Sequence, residues 1–194
     1  MRKILVLNGH PGKRSLNQAL ANAYAEAART AGHEVREVHI HDLDFDPDFG
    51  QGGFKASKPL EPQLREVLDS LKWADHLVLV SPMWWGGLPA KLKGLIDRTL
   101  LPGETFDPRQ MQNGLPTPLL TGRTARLILT SDTPGVFFKF MYANALIRQV
   151  QRQILGYVGI KPTRVTHFSP ASHAGTDTVS AWLETVSKLG AEGQ

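Results

Sequence analysis

The chain contains no cysteine. That excludes disulfides, thiolate metal sites and thiol nucleophiles, and it suits a protein kept in a reducing cytoplasm. No apolar run approaches the roughly 18 residues needed to cross a bilayer, so stable membrane insertion is not expected. The opening segment, Met1-Arg2-Lys3 before only Ile4 to Leu7, is too short and strand-like for a secretory leader. Acidic residues are in slight deficit, 18 against 22 Lys and Arg, giving a net charge of +4. The bases are interspersed rather than clustered and do not alternate with aromatics, so no nucleic-acid platform is expected. A mildly basic balance instead suits a protein handling phosphorylated cofactors. Internal repeats, low-complexity tracts and long linkers are all missing. Residues 1–194, 41% of them hydrophobic, therefore read as a single domain with a sizeable core.

What is present is organised around Asp75 to Arg98. Leu77-Val78-Leu79-Val80 is an unbroken apolar run closed by Ser81-Pro82, the pattern of a strand buried on both faces. Trp84-Trp85-Gly86-Gly87 follows. Pro89 then presets a first helical turn, with Leu88, Leu92, Leu95, Ile96 and Leu100 at helical spacing. Ligands of open parallel sheets sit in the loops at the carboxyl ends of strands. Paired indoles in such a loop, beside glycines that let the backbone approach something flat, point to a planar cofactor.

The same alternation runs along the whole chain. Residues 2–8 form the first strand. Residues 16–31 form a helix on the apolar face of Leu16, Leu20, Ala23, Tyr24, Ala27, Ala28 and Ala31, stopped by Gly32. Between them lies Gly9-His10-Pro11-Gly12-Lys13-Arg14-Ser15, with Ser15 and Gln18 at capping-box spacing. A basic, glycine-containing turn feeding a capped helix start is an anion site. It is neither a dinucleotide fingerprint nor a nucleotide-triphosphate loop. Residues 34–40 alternate as a second strand. From Asp42 to Lys58 the sequence reads as loop, including the glycine run from Gly50 to Gly53. Asp44, Asp46 and Asp48 lack the glycine and glutamate of a calcium loop. Residues 60–73 make an amphipathic helix, and Leu101 to Gly122 a Pro/Gly-rich connection without regular structure. Residues 123–131 give the fourth strand, 137–158 one long helix irregular at its start, 163–168 the fifth strand and 176–189 the closing helix. Strand and helix alternate five times, which predicts a parallel sheet covered on both faces. His33, His39, His41, His76, His167 and His173 show no metal-ligand spacing and read as surface or core residues. Lys91, Lys93, Asp97 and Arg98 read as solvated charges on a helix flank.

The segments NGHPGKRSLNQAL, SPMWWGGLPAKLKGLIDR and LLPGETF make the chain resemble the flavodoxin-like NAD(P)H dehydrogenase (quinone) family, flavin-dependent quinone reductases, over nearly its whole length. The resemblance implies an α/β flavodoxin-like three-layer sandwich with a five-stranded parallel sheet in the order 2-1-3-4-5. It further implies a homodimer with FMN or FAD bound and NADH or NADPH as electron donor. Hydride would pass through the flavin to a quinone or similar flat acceptor by a ping-pong route. By the same resemblance His10, Ser15, Leu16 and Asn17 hold the flavin phosphate. Pro82, Met83, Trp84 and Trp85 flank the isoalloxazine, and Ser131, Asp132 and Thr133 meet its polar edge.

The chain departs from many members in the last loop. Where they carry Thr-Gly-Gly with a downstream Tyr and His, this sequence has Ser131-Asp132-Thr133-Pro134-Gly135 and then three phenylalanines within four positions. No catalytic side chain is therefore transferred to Tyr142 or to any histidine. Two other readings stand beside the reductase: a flavodoxin-type electron carrier, and an ancillary flavin subunit of a membrane transporter.

Overall fold

The structure is a computed structural model, and it describes residues 1–50 and 58–194. Gln51-Gly52-Gly53, the rest of the glycine run expected in a loop, lies outside the described residues. Five parallel strands form the central sheet: β1 (Lys3–Asn8), β2 (Glu34–His39), β3 (His76–Pro82), β6 (Thr124–Thr130) and β7 (Thr163–Phe168). They lie side by side as β2-β1-β3-β6-β7. Counting only these strands in chain order, that is the expected order 2-1-3-4-5. Every residue of β3 is buried, as its unbroken apolar run requires of a central strand covered on both faces.

The period-two alternation of the strands divides the core. Ile4, Val6, Val78, Val80 and Ile128 point to one face, beneath α1 (Leu16–Thr30) and α7 (Thr176–Ala191). These two helices approach closely: a Cβ on Gly190 would stand 2.3 Å from the Tyr24 carbonyl oxygen. Leu5, Leu7, Leu77, Leu79, Leu127 and Leu129 point to the other face. There they meet α2 (Pro62–Trp73), α3 (Ala90–Thr99) and the segments α4 (Gly135–Phe140), α5 (Ala145–Arg148) and α6 (Leu155–Val158).

Three features differ from the sequence reading. The connection between α3 and β6 is not irregular: β4 (Phe106–Gln112) and β5 (Leu115–Pro118) form an antiparallel hairpin. Its turn is Asn113-Gly114, with φ of 53° and 79°, the mirror-image geometry that suits the twist of paired strands. The ring of Phe106 packs edge-on against Tyr157 at 5.2 Å and anchors the hairpin. Next, residues 137–158 are not one helix. Ala143 and Asn144 adopt left-handed φ of 49° and 52° and separate α4 from α5. A π-helical stretch, Gln149–Ile154, then joins α5 to α6. It brings Gly156 so near its own preceding turn that a Cβ would lie 2.6 Å from the Gln151 oxygen.

The third difference is Arg98, which is no solvated flank charge. It is 1% exposed. Its guanidinium donates to Glu61 Oε2 at 2.8 Å, to Glu61 Oε1 at 3.2 Å, to the Pro59 carbonyl at 2.9 Å and to the Asp46 carbonyl. Asp46, Pro59 and Glu61 thus hang on one side chain of α3. Lys91 is likewise engaged, donating to the Leu43 carbonyl at 2.6 Å, whereas Lys93 and Asp97 make the expected surface pair one turn apart. Removing the guanidinium leaves several acceptors without their donor. Arg98→Met is expected to lower unfolding free energy by about 1.5–3 kcal/mol, measured as a reduced urea midpoint at unchanged slope.

His76, on β3, is 2% exposed, and its Nδ1 lies 2.7 Å from Thr124 Oγ1. Burial first, and then the charges of Arg2 and Arg126, push its pKa from 6.5 down to about 4. Between those values the unfolded chain takes up a proton that the folded chain refuses, so stability falls as pH drops through this window. The loss from pH 7 to pH 5 is about 2 kcal/mol. His76→Gln should remove that share of the acid sensitivity in urea melts at the two pH values.

Candidate functional site

Three loops meet at the carboxyl edge of the sheet, where the strand order reverses direction between β1 and β3. Each loop is pinned by a ladder bond that continues past its strand. Gly9 N–H donates to the Val80 carbonyl at 2.8 Å, Met83 N–H to Thr130 at 2.8 Å and Ser131 N–H to Phe168 at 3.1 Å. The first residue of each loop is therefore placed by the neighbouring strand.

The first loop runs from Gly9 to Ser15. Asn8, fully buried at the end of β1, accepts from His10 N–H at 3.1 Å through Oδ1 and donates to Gln18 Oε1 at 2.9 Å. Gly12 closes on the His10 ring, its N–H 2.9 Å and its carbonyl oxygen 3.2 Å from Nδ1. Ser15 caps α1 by accepting from Gln18 N–H at 3.1 Å. The reciprocal half of the capping box is not made, because the Gln18 side chain is turned to Asn8 and Asn22. Gln18 and Ala19 N–H are satisfied by Ser15, while those of Leu16 and Asn17 belong to the helix start, where no intrahelical acceptor exists. Asn17 is 3% exposed; its Oδ1 accepts from Thr130 Oγ1 at 3.0 Å, and its Nδ2 is buried without a partner. A buried donor left over beside two free helix-start N–H groups is what an anionic ligand would satisfy. Lys13 is held outward by Asp42 at 3.4 Å.

The second loop separates the paired tryptophans. Pro82 is buried and Met83 half-buried. Trp84 and Gly87 exchange backbone hydrogen bonds at 3.0 and 2.9 Å around a two-residue turn of Trp85 and Gly86, with φ of 51° and 73°. Trp84 sets its ring edge-on to His10, with centroids 5.6 Å apart, and remains 45% exposed. Trp85 at the turn tip is fully exposed. The sequence treats the two indoles as equivalent, whereas the turn gives only Trp84 a ring partner.

In the third loop Ser131 is buried and its polar atoms are all engaged. The carbonyl accepts from Ala171 N–H at 2.9 Å, and the hydroxyl lies 2.7 Å from His167 Nε2 and 3.2 Å from the Thr133 carbonyl oxygen. Asp132 is bound by the N–H and hydroxyl of Ser172, both at 2.6 Å, and these bonds hold its carboxyl below the usual carboxylate range. The Thr133 carbonyl also accepts from the Ser169 hydroxyl at 2.8 Å. Sequence reasoning missed His167, Ser169 and Ser172. Their place at and just beyond the end of β7, the parallel neighbour of β6, is the signal that could have found them.

The edge thus brings together unpartnered donors at the start of α1 and a loop whose Trp84 ring meets His10 edge-on. A fold of this strand order with its site at the β1–β3 switch defines the flavodoxin-like class. The chain belongs to that family: the model described as flavodoxin-like fold matches residues 2–189. Among its relatives, an FMN-dependent NADH:quinone oxidoreductase of Nitratidesulfovibrio vulgaris is 28% identical over 93% of this chain and 92% of its own length. A Haemophilus influenzae protein named as an uncharacterized NAD(P)H oxidoreductase is 29% identical over 65% of this chain, which spans 62% of that relative. The crystal structure of Smu.1420 from Streptococcus mutans superposes with a TM-score of 0.78 at 25% identity, covering 97% of this chain and 98% of the other.

Trp85 holds a left-handed backbone that large side chains adopt only under strain, of the order of 1–2 kcal/mol. Trp85→Asn restores the residue pair that this turn favours. It is expected to raise unfolding free energy by about 1 kcal/mol in urea titrations of the ligand-free chain.

Proposed function

We propose that the chain is an FMN-dependent NAD(P)H:quinone oxidoreductase. The observation that carries this reading is the unpartnered Asn17 Nδ2, buried beside the open start of α1 and across from the Pro82–Trp85 loop. The donor set suits a phosphate monoester, the aromatic loop suits a flat ring, and the named relatives are oxidoreductases of the same class. When bound, the flavin supplies hydride acceptance and two-electron transfer, chemistry that needs no nucleophile from the protein.

The chain's own residues have narrower roles. Leu16 and Asn17 N–H, Asn17 Nδ2 and the Ser15 hydroxyl hold the phosphate, and His10 adds a ring N–H. Pro82, Met83 and Trp84 would wall the ring. Ser131, Asp132 and Thr133 shape the loop at its polar edge; with the polar atoms of Ser131 and the Asp132 carboxylate engaged elsewhere, the Asp132 and Thr133 N–H groups would do the contacting. Nicotinamide and acceptor use the remaining open face in turn, beside the exposed Trp85. NADH and NADPH are both accommodated by this reading.

Assembly follows from what is left uncovered. The Leu100–Leu120 segment buries Leu101, Phe106 and Leu120 and leaves Met111, Leu115 and Leu119 exposed. A second exposed apolar group is Val136, Phe137, Phe140, Met141 and Tyr142, on and just after α4, together with Trp84 and Trp85. A second copy of the chain covering them in a two-fold homodimer is part of the proposal. A cytoplasmic location fits the absence of cysteine; no helix among the described residues is long and apolar enough to cross a membrane.

The electron-carrier reading is disfavoured by a pI near 9.5 and by the basic first loop, since such carriers are typically acidic. The test is direct. Purified protein should release FMN, identified by mass, and oxidise NADH or NADPH with benzoquinone and no partner reductase. Asn17→Leu should weaken FMN binding at least tenfold in fluorescence titrations while the apo chain keeps its urea midpoint. Full FMN affinity in that variant would place the phosphate elsewhere, and dependence on a partner reductase would favour the carrier.

A further inference from the structure

Resting on that reading, we propose that His167 is a positioning residue which, through Ser131, sets the loop at the flavin's polar edge and ties the flavin's electron affinity to pH. The geometry begins with a hydroxyl that has two possible directions. Ser131 Oγ lies 2.7 Å from His167 Nε2 and 3.2 Å from the Thr133 carbonyl oxygen. With a neutral imidazole the hydroxyl hydrogen can point either way. With an imidazolium, Nε2 can only donate, so the hydroxyl must give its hydrogen to Thr133. That carbonyl already accepts from Ser169, and two hydroxyls then converge on one peptide of the loop.

The imidazole is held in place for this task. The Phe138 ring lies against it with centroids 5.5 Å apart. At Gly135 a Cβ would stand 4.0 Å from Nδ1, an ordinary contact distance, so the start of α4 lies beside that nitrogen. Nε2 is committed to the loop, which leaves Nδ1 to take up and release the proton. The charged and titratable groups on the surrounding elements are Asp132 and Arg126 from β6 and its loop, Lys139 on α4, Arg164 on β7 and His173 beyond it. Burial alone, not any of these, pulls the His167 ionisation below its ordinary 6.5. The imidazole is then neutral at pH 7, and protonation adds a positive charge near the ring as the medium turns acid, which favours the reduced, more negative flavin.

The test uses FMN-loaded wild type, His167→Asn, His167→Leu and Ser131→Ala. Two readouts are taken: FMN dissociation constant and midpoint potential from pH 5 to 8. Wild type is expected to show an extra rise in potential below pH 6.5 that both His167 variants lack and that Ser131→Ala diminishes. His167→Leu should weaken FMN about tenfold, whereas His167→Asn, which can still donate to Ser131, should stay within threefold. A potential-against-pH curve unchanged in the His167 variants overturns the proposal, even where FMN affinity falls, because a packing role alone would do that. If His167→Leu fails to fold, the curves of His167→Asn and Ser131→Ala decide in the same way. Wild type that takes up no FMN overturns the functional reading itself, and this inference with it.

Discussion

The candidate site depends on a parallel ladder that does not stop where the strands stop. Gly9, Met83 and Ser131 each spend their N–H on the neighbouring strand, so three loops that look free in the sequence leave the sheet from fixed points. Parallel pairing makes this possible, because all the carboxyl ends lie on one side and carbonyls near the end of one strand face the start of its neighbour's loop. Beyond those points the loops are shaped locally. Asn8 braces the first loop, a two-residue turn forms the second, and hydroxyls and a histidine near the end of β7 fix the third. A rigid start with a locally shaped tip is what precise placement of a ligand on loops requires.

Much of this was legible in the residues. The apolar runs of β1 and β3, the cap at Ser15 and the strand at 163–168 are strong local signals, and local signals survive folding where they agree with the fold. The hairpin was legible too: Asn113-Gly114 is the dipeptide its turn demands, but the prolines at 108, 116 and 118 argue against strands unless both are edges. The broken helix was less legible. The apolar residues on either side of 143–144 read as one helix, and only the left-handed backbone there interrupts it. Arg98 and His167 were illegible for a different reason. Sequence tells that a side chain is charged or titratable, not that its partners arrive from segments far away in the chain.

The site leaves several local rules unsatisfied. A buried amide nitrogen of Asn17 without an acceptor, a tryptophan in a left-handed backbone and a run of exposed apolar residues on α4 each lower stability unless something covers or binds them. Buried unpartnered atoms occur elsewhere too, on His76, Arg123, Arg126 and Thr163 toward the other end of the sheet. What sets Asn17 apart is its place beside an open helix start, where an anion can satisfy several donors at once.

Gly9 ties two of those loops together. A Cβ built on it would fall 2.4 Å from Leu92 Cδ2, on the helix that follows the tryptophan turn. The end of β1 and the first turns of α3 therefore meet through that one side chain. A methyl group added at position 9 would have to displace Leu92, which is itself fully buried in the core. The first loop and the helix behind the tryptophan turn thus share a single packing contact, and a change at either end is felt first by one leucine.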